Sequence, residues 1–319
     1  MNYLVTGGAG FIGSNIVKEL LDRGENVRVL DNFATGKREN LIPFIHLPNF
    51  SFYEGDLRDE AAVRNAVKGV DYVLHQGALP SVQRSISDPV TSNEVNVLGT
   101  LNVLEAAKEF QVKRVVYASS SSVYGNIQVP SKVETLPIGP LSPYAVSKYS
   151  AERYCQVYNQ LYGLETVCLR YFNVFGPHQD PSSLYSAVIP KFIKLMKEDK
   201  QPVIYGDGTQ SRDFTFVANN VEANILACTA ENVGGEVFNI ACGESYSLLD
   251  LVNTINDAIG KDIQPQFANE KKGDVKHSLA DISKARKLLK YNPILNFKAG
   301  LEATIDYFLN PKVLFLRQG

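Results

Sequence analysis

The chain has 319 residues, of which 45% are hydrophobic and 21% are charged, and its formal net charge is −2. This length predicts two domains, or one doubly wound domain with a substantial addition. The near-neutral charge argues against nucleic acid or a membrane surface as a partner. The sequence shows neither a basic, apolar leader nor a run of roughly 20 apolar residues, so we expect a cytoplasmic protein.

The cysteines and histidines give no sign of a metal centre. No two cysteines form a CxxC pair, and no His/Cys cluster has metal-ligand spacing, so we predict no metal site. The cysteines are expected to be small, buried or half-buried side chains: Cys155, Cys168, Cys228 and Cys242. Three lone histidines are expected to pack or to form hydrogen bonds: His75, His178 and His277.

Short β-rich runs alternate with helical patterns over the first two-thirds of the chain. Several runs are continuously apolar, which is typical of strands covered on both faces. One helix is predicted at 93–110 and another at 143–162, where Pro143 suits a helix start and Ser142 a cap. The clearest strand runs are 3–6, 26–30, 51–54, 72–75, 114–119 and 165–170. This alternation predicts a parallel doubly wound sheet with right-handed crossovers.

The pattern changes after residue 173, where a loop-rich stretch spans 176–186. Strand runs follow at 203–205 and 236–240, and the later one is expected to return to the main sheet. Further helices are predicted at 188–197, 216–230, 247–259, 281–289 and 298–309.

We therefore predict an α/β fold with two domains. The first is a Rossmann-type doubly wound parallel sheet that comprises 1–172 and 214–240. The second is a smaller mixed α/β domain that comprises 173–213 and 241–311. The division follows the point where strand–helix alternation stops and the point where the late strand returns.

A glycine-rich turn follows the first predicted strand and opens a helix. Gly7, Gly10 and Gly13 have the spacing GxxGxxG, which suits a tight turn, close approach of a pyrophosphate and close helix–sheet packing. The helix N-terminus then offers N–H groups to the phosphates. Asp31 ends the second strand, where its carboxylate would accept hydrogen bonds from the ribose hydroxyls. Its negative charge would also repel a 2′-phosphate. NAD is therefore favoured over NADP, although Arg38 nearby keeps NADP open.

Two further pairs follow predicted strands and are expected to border the cofactor. Asp56 and Leu57 follow the third strand and are expected beside the adenine. Gly77 and Ala78 follow the fourth, where small residues let a cofactor lie across the sheet edge.

Tyr144 and Lys148 stand four residues apart at a helix start, so both face the same side. A free tyrosine, with a pKa of about 10, is a poor base at pH 7, and lowering that pKa by about three units takes about 4 kcal/mol. An ammonium about 4 Å away supplies about that at an effective dielectric of about 20. The pair therefore predicts a general base that helps to oxidise a hydroxyl-bearing carbon. Hydroxyls of the serine run 119–122 follow the fifth strand and are expected to bind the reacting oxygen.

With these features in place, the chain closely resembles the extended short-chain dehydrogenase/reductase superfamily. Within it, the chain is most similar to the nucleotide-sugar 4-epimerases of UDP-glucose or UDP-N-acetylglucosamine. The resemblance covers nearly the whole chain. Its motifs are TGGAGFIGS from Thr6, LDNFATGKREN from Leu30, HQGALPSV from His75, NVLGTLNVLEAA from Asn96, ASSSSVYG from Ala118, SPYAVSK from Ser142, RYFNVFGP from Arg170, GDGTQSRDF from Gly206 and GDVKHSLADISKA from Gly273.

The resemblance implies roles for individual residues. Ser120 is the hydroxyl donor, Tyr144 the base, and Lys148 its activator and a ribose ligand. The implied reaction passes hydride from sugar C4 to NAD, turns the 4-keto sugar, and returns hydride to the opposite face. Further cofactor contacts are expected from Phe11, Ile12, Asn32, Asn96, Ser119 and Phe172. Substrate contacts are expected from Ser81, Val82, Ser120, Ser121, Asn173, Val188, Val203, Tyr205, Arg212, Lys271, Asp274 and Ser278.

Two positions depart from the pattern of that branch. Lys271 stands where an arginine is expected, which keeps a charge for phosphate but loses the bidentate fork. Ser278 stands where some relatives carry a bulky tyrosine beside the sugar C2 substituent. Because a small residue leaves room for an N-acetyl group, we expect activity on UDP-GlcNAc and UDP-GalNAc as well as on UDP-Glc and UDP-Gal.

The same scaffold could also support a different nucleotide-sugar reaction or a non-catalytic role. Dehydratase relatives carry an Asp-Glu pair where this chain has Ser121 and Ser122, which argues against dehydration. UDP-glucuronate decarboxylase relatives tend to carry a glutamate in the same strand end, and this chain has none there, so decarboxylation is also disfavoured. A UDP-glucuronate 4-epimerase stays open, because Arg84 in the predicted loop 81–85 could meet a carboxylate. A non-catalytic NAD-binding regulator is disfavoured, because such proteins often lose the tyrosine or the lysine. The helices 93–110 and 144–162 resemble those that pair in this superfamily, so we expect a homodimer through a four-helix bundle.

Overall fold

The computed structural model describes residues 1–181, 188–270 and 276–310. Its strands are, in chain order, β1 (Asn2–Thr6), β2 (Asn26–Asp31), β3 (Phe50–Glu54), β4 (Tyr72–His75), β5 (Arg114–Ser120), β6 (Thr166–Tyr171), β7 (Val174–Phe175), β8 (Val203–Tyr205), β9 (Ser211–Arg212), β10 (Thr215–Phe216), β11 (Val237–Ile240), β12 (Tyr246–Ser247), β13 (Gln266–Ala268) and β14 (His277–Ser278). Every predicted strand run is present, with ends that differ by one residue at most.

The main sheet has seven strands in the order β11-β6-β5-β4-β1-β2-β3. Every neighbouring pair in it is parallel. The order reverses between β1 and β4, so the loops that follow these two strands diverge and leave a crevice at the carboxyl edge. The predicted Rossmann-type fold is confirmed, and β11 does return to the main sheet beside β6.

The helices are α1 (Phe11–Asp22), α2 (Glu60–Val67), α3 (Val82–Ser87), α4 (Pro89–Asn93), α5 (Gly99–Glu109), α6 (Pro143–Tyr162), α7 (Val188–Lys197), α8 (Val217–Thr229), α9 (Leu248–Ile259), α10 (Ser283–Leu288) and α11 (Phe297–Leu309). Apolar side chains of these helices cover both faces of the main sheet and form two cores, one on each side. At α6 the hydroxyl of Ser142 accepts the N–H of Ala145, as expected of a cap.

The predicted helix 93–110 is built differently from the prediction. It begins earlier, as α4, and joins α5 through a π-helical turn at Glu94–Leu98. The backbone stays helical at both junctions, at Asn93 and at Leu98. The wider turn changes which side chains face inward, because it inserts a residue into the usual 3.6-residue repeat. Asn96 lies in this turn and is buried.

The remaining short strands lie outside the main sheet. They form three small sheets, β10-β7, β12-β9-β14 and β13-β8. The pairing of β9 with β14 brings Arg212 into register with Ser278. In the part of the chain that the structure describes, no helix is long and apolar enough to cross a membrane, and no cluster of three or more His, Cys, Asp or Glu side chains has the arrangement of a metal site. The four cysteines are buried and unpaired.

Asn220 on α8 offers a test of how buried polarity affects stability. Neither its Nδ2 nor its Oδ1 has a hydrogen-bond partner among the described residues, and the residue is fully buried. We expect Asn220→Leu to raise the free energy of unfolding by about 1–2 kcal/mol, because an unsatisfied buried amide is costly. Urea denaturation would measure the change.

Asn224, one turn further along α8, is the matched control. Its side chain donates to the hydroxyl of Tyr171 (2.6 Å) and accepts from Nε2 of Gln76 (3.0 Å). Asn224→Leu is therefore expected to lower the free energy of unfolding. A loss of stability in Asn220→Leu as large as that in Asn224→Leu would contradict the prediction.

Candidate active site

The glycine-rich turn places a helix N-terminus at the crevice of the sheet. Gly7 has a φ of +67°, and a Cβ there would lie 2.7 Å from the backbone of Gly77. A Cβ on Gly13 would lie 2.1 Å from the carbonyl oxygen of Gly7. A Cβ on Gly10 meets only that carbonyl, at 3.1 Å, so its other side faces open space. No side chain caps α1, so its first N–H groups are available to a phosphate.

Asp31 lies at the end of β2, beside this turn. Its carboxylate accepts N–H bonds from Ala9 (3.0 Å) and Phe33 (2.8 Å). Burial raises the pKa of Asp31, and the backbone N–H groups oppose that rise. Arg38 points its guanidinium at Glu54, with two contacts of 2.7 and 2.8 Å, and stacks on the ring of Phe33. Arg38 is thus already engaged by a carboxylate, which strengthens the preference for NAD.

A cavity of about 460 Å³ opens at this crevice. Its lining includes most of the residues predicted to contact the cofactor: Gly7, Gly10, Phe11, Ile12, Gly13, Asp31, Asn32, Asp56, Leu57, Gly77, Ala78, Ser119, Tyr144 and Lys148. The cavity also reaches Arg84 and Tyr171. Glycines that bring the backbone close, a helix N-terminus and a ribose-binding carboxylate therefore meet in one place, as an NAD site requires.

Two predicted cofactor contacts lie elsewhere. Asn96 is buried behind the cavity, where its amide bonds the backbone N–H (2.8 Å) and carbonyl (3.3 Å) of Leu79 and the hydroxyl of Ser147 (3.0 Å). It therefore holds the loop after β4, which itself lines the cavity. Phe172 is fully buried against Tyr124, because it follows the last residue of β6 on the core side of the chain.

Tyr144 and Lys148 line the floor of the cavity, and Ser120, which does not itself line it, is hydrogen-bonded to Tyr144. Tyr144 and Lys148 lie on the first turns of α6, and Ser120 ends β5. The Lys148 ammonium donates to the carbonyl of Ala118 (2.9 Å) and lies 5.0 Å from the ring centre of Tyr117. Burial lowers the pKa of Lys148 to about 8.

The pKa of Tyr144 differs from the prediction made from spacing alone. Burial raises this pKa, and a hydrogen bond with Ser120 opposes the rise. The expected lowering by Lys148 is not seen, because the ammonium is directed at the Ala118 carbonyl. Ser120 also accepts from the N–H (3.2 Å) and hydroxyl (2.9 Å) of Ser122.

A buried ion pair supports this floor and is not evident from the sequence. The carboxylate of Glu152, two turns after Tyr144 on α6, contacts the Arg170 guanidinium at 2.6 and 3.0 Å. It also accepts from the hydroxyl of Ser119 at 2.6 Å. Arg170 in turn donates to the hydroxyl of Tyr124 at 2.8 Å. The network ties α6 to the ends of β5 and β6. The motif RYFNVFGP contains Arg170, but no sequence pattern names its partner.

Gln76, Tyr171 and Asn224 form a second unpredicted group at the wall of the cavity. The Tyr171 hydroxyl donates to Oε1 of Gln76 (3.1 Å) and accepts from Nδ2 of Asn224 (2.6 Å). Burial raises the pKa of Tyr171 well above its usual range, so its phenol stays neutral. Residues from β6, α8 and the end of β4 thus share one closed set of hydrogen bonds.

A second cavity of about 340 Å³ lies in the smaller unit. It brings together five residues predicted to bind substrate: Asn173, Val188, Val203, Tyr205 and Arg212. Phe175, Phe192 and Phe214 add aromatic surface to its lining. A guanidinium (Arg212), two amides (Asn173 and Gln210), an ammonium (Lys191) and several apolar side chains in a concave site suit a ligand with an anionic part and a flat ring.

The remaining predicted substrate contacts line neither cavity or are not described. Ser81 caps α3, a helix where a loop was predicted, by accepting the N–H of Arg84 (3.0 Å), and Val82 is the exposed first residue of that helix. Ser121 begins a 3₁₀ turn after β5. Ser278 is buried in β14. Lys271 and Asp274 lie outside the described residues.

The histidines form hydrogen bonds with hydroxyl groups. His75 bonds Thr6 (2.6 Å) and Thr100 (3.0 Å) inside the sheet, and burial lowers its pKa to about 3. Ser14 forms a similar hydrogen bond with the ring of His178, and Ser211 forms one with the ring of His277. All three have the hydrogen-bonding role expected of them.

The sequence profile of the NAD dependent epimerase/dehydratase family matches residues 3–241. The chain belongs to this family. A structure of UDP-N-acetylglucosamine 4-epimerase from Methanobrevibacter ruminantium M1, in complex with UDP-N-acetylmuramic acid, is 41% identical and superposes with a TM-score of 0.93, covering 97% of this chain and 98% of that one. A structure of Thermus thermophilus UDP-glucose 4-epimerase with NAD is 38% identical, with a TM-score of 0.87 and coverage of 97% and 99%.

The chain is also similar to a relative that is named for a different sugar, glucuronate. The UDP-glucuronate 4-epimerase of Thermodesulfobacterium geofontis is 36% identical over 313 residues, which cover 96% of this chain and 95% of that protein. The predicted superfamily branch and the NAD cofactor are confirmed by these relatives and by the family profile.

Proposed function

We propose that this chain epimerises a UDP-hexose at C4 through a 4-keto intermediate, with NAD retained at the first cavity. The arrangement of Tyr144 and Lys148 in the lining of that cavity, with Ser120 hydrogen-bonded to Tyr144, carries the proposal. The second cavity supports it, because Arg212 and Asn173 there suit a diphosphate and the aromatic lining suits a uracil ring.

The residues of this chain account for the proton transfers. Bound NAD, held by the glycine-rich turn, Asp31 and Lys148, would supply the acceptor and donor of a hydride at C4. The Tyr144 phenolate oxygen takes the proton of the sugar 4-hydroxyl and, after the 4-keto sugar has turned, returns a proton to the same oxygen. Ser120 holds the reacting oxygen by a hydrogen bond, and Lys148 favours the charged form of Tyr144 once its ammonium turns from Ala118. Tyr171 and Gln76 form a fixed wall.

The direct test is incubation of the purified protein with UDP-Glc, UDP-GlcNAc and UDP-GlcA, without added NAD, followed by separation of the 4-epimers. We expect interconversion of UDP-Glc with UDP-Gal and of UDP-GlcNAc with UDP-GalNAc. The second pair is expected because Ser278 is small where some relatives carry a tyrosine. Absence of every epimer, even with NAD supplied, would overturn the proposal.

Arg84 supports a second candidate, epimerisation of UDP-glucuronate. Its side chain lines the first cavity, where a guanidinium would meet a sugar carboxylate. If UDP-glucuronate is the substrate, Arg84→Met should lower kcat/KM for it by at least about tenfold and affect the UDP-Glc reaction much less. Equal effects on both sugars would remove this candidate.

We also propose that two copies associate through α5 and α6, as predicted. Apolar side chains on α6 and just before α5 are exposed: Leu98, Val146, Tyr154, Leu161 and Tyr162. Several exposed apolar side chains on one pair of helices are typical of an interface.

The double change Leu98→Glu with Val146→Glu is expected to abolish the dimer, because it places charges in a desolvated interface. Sedimentation equilibrium should then report the monomer mass of 35.2 kDa in place of twice that value. Ile45→Glu, at an exposed isoleucine between β2 and β3, serves as the control and should remain dimeric. A wild-type protein of monomer mass would refute the proposal.

A further inference from the structure

Asp213, between β9 and β10, joins several segments of the chain. Its carboxylate accepts N–H bonds from the backbone of Cys242 (2.9 Å), Gly243 (3.0 Å) and Ala280 (3.3 Å). Its own carbonyl accepts from Nδ2 of Asn173 (3.0 Å). The residue is fully buried. Three backbone donors from two separate loops therefore converge on one side chain.

These contacts lie where the chain crosses between the two predicted domains. The predicted crossings follow residues 172, 213 and 240. Asn173, Asp213 and Cys242 each lie within two residues of a different crossing. One residue, through its carboxylate and its own backbone carbonyl, thus links the three places at which the sheet that holds the cofactor continues into the smaller unit.

Asp213 also lies directly behind the second cavity. Its backbone N–H donates to the carbonyl of Ser278 (2.7 Å), which locks β9 beside β14. Arg212 precedes it in the chain, and Arg212 and Asn173 both line the cavity. Any shift of Asp213 therefore moves the two polar side chains that face a ligand there.

The carboxylate has no ion pair among the residues that the structure describes. Burial raises its pKa to about 7, and the three backbone N–H groups oppose that rise. Burying a carboxyl group that is held only by backbone donors costs folding free energy. Its presence here therefore indicates a geometric requirement that an apolar side chain could not meet.

We propose that Asp213 is a positioning residue for substrate binding. Its carboxylate fixes Arg212 and Asn173 relative to the cofactor cavity and thereby sets the affinity for the UDP portion of the substrate. This inference rests on the proposed function, because it takes the second cavity as the site of that portion. Asp213 itself does not contact the reacting atoms.

The test compares wild-type protein with Asp213→Asn, which keeps the shape but turns an N–H₂ group toward backbone donors. Calorimetric titration with UDP should give a Kd about tenfold higher, and the KM for the UDP-sugar should rise in parallel. The kcat at saturating substrate and the content of bound NAD should stay within about threefold of wild type. A role in stability alone would not produce this separation of KM from kcat.

Asp281→Asn is the matched control, because that carboxylate accepts a single backbone N–H, from Ser283 (2.7 Å), and the side chain contacts no described residue near a crossing. It should bind UDP like wild type. If Asp213→Asn fails to fold, Asp213→Glu replaces it, since it keeps the charge and displaces the carboxylate by one methylene. A folded variant at Asp213 with wild-type affinity for UDP would overturn the inference. UDP titration needs no turnover, so failure of the epimerase assay is recognised separately.

Discussion

Tyr144→Phe is expected to lower kcat for C4 epimerisation by about a thousandfold, within the range of about 10²–10⁴ that general acid–base catalysis contributes. The phenol oxygen is the atom proposed to take and return the proton of the sugar 4-hydroxyl. Removing it leaves Ser120 and Lys148 in place and takes no contact from the glycine-rich turn. The change therefore isolates proton transfer from cofactor binding.

The measurement is the initial rate of epimer formation, together with the content of NAD released by denaturation. Bound NAD should be unchanged. Tyr53→Phe, at an exposed tyrosine of β3 that lines neither cavity, is the control and should keep the wild-type rate. A Tyr144→Phe enzyme that retains more than about one-tenth of the wild-type rate would refute the assignment of this residue as the base.

Glu152→Gln is expected to lower the free energy of unfolding by about 3–5 kcal/mol, which is the usual cost of breaking a buried ion pair on one side. Glu152 and Arg170 are both nearly inaccessible, with side-chain exposures of 1% and 4%. The amide keeps the shape of the side chain but leaves the Arg170 guanidinium without a counter-charge. It also weakens the hydrogen bond to Ser119, next to the floor of the cavity.

Urea denaturation of the wild type and the variant would measure this loss. Glu222→Gln is the control, because Glu222 pairs with Arg23 on the surface at 2.8 Å, with exposures of 25% and 40%. Exposed pairs contribute at most about 1 kcal/mol, so this control should change little. Adding Arg170→Met to Glu152→Gln should recover part of the loss, since it removes the unpaired charge. Equal losses at Glu152 and Glu222 would contradict the prediction.

The sheet could be predicted from the sequence because its strands are short, apolar runs covered on both faces. The run 72–75 coincides with β4, and the long helix α6 begins at Pro143 behind its Ser142 cap. Local motifs likewise placed the glycine-rich turn, Asp31, Tyr144 and Lys148 at one cavity. Each of these features depends on neighbours in the chain.

The features that were missed or misplaced depend on distant parts of the chain. The two-residue strands β9 and β14 exist only through pairing with distant segments, since β9 lies between β12 and β14, and α3 replaced a predicted loop. Asn96 was assigned to the cofactor site by resemblance, whereas in the structure its amide, held in the π-helical turn, bonds Leu79. The direction of the Tyr144 pKa shift could not be predicted, because spacing along a helix does not show how deeply the phenol is buried.

The position of β11 at the edge of the main sheet has a consequence for synthesis of the chain. β11 pairs with β6, yet about 65 residues separate the end of β6 from the start of β11. While these residues are emerging from a ribosome, β6 presents an unpaired edge of N–H and C=O groups. The nascent protein therefore passes through an interval in which a foreign strand competes for that edge, and a chaperone that shields it would act before residue 237 is made.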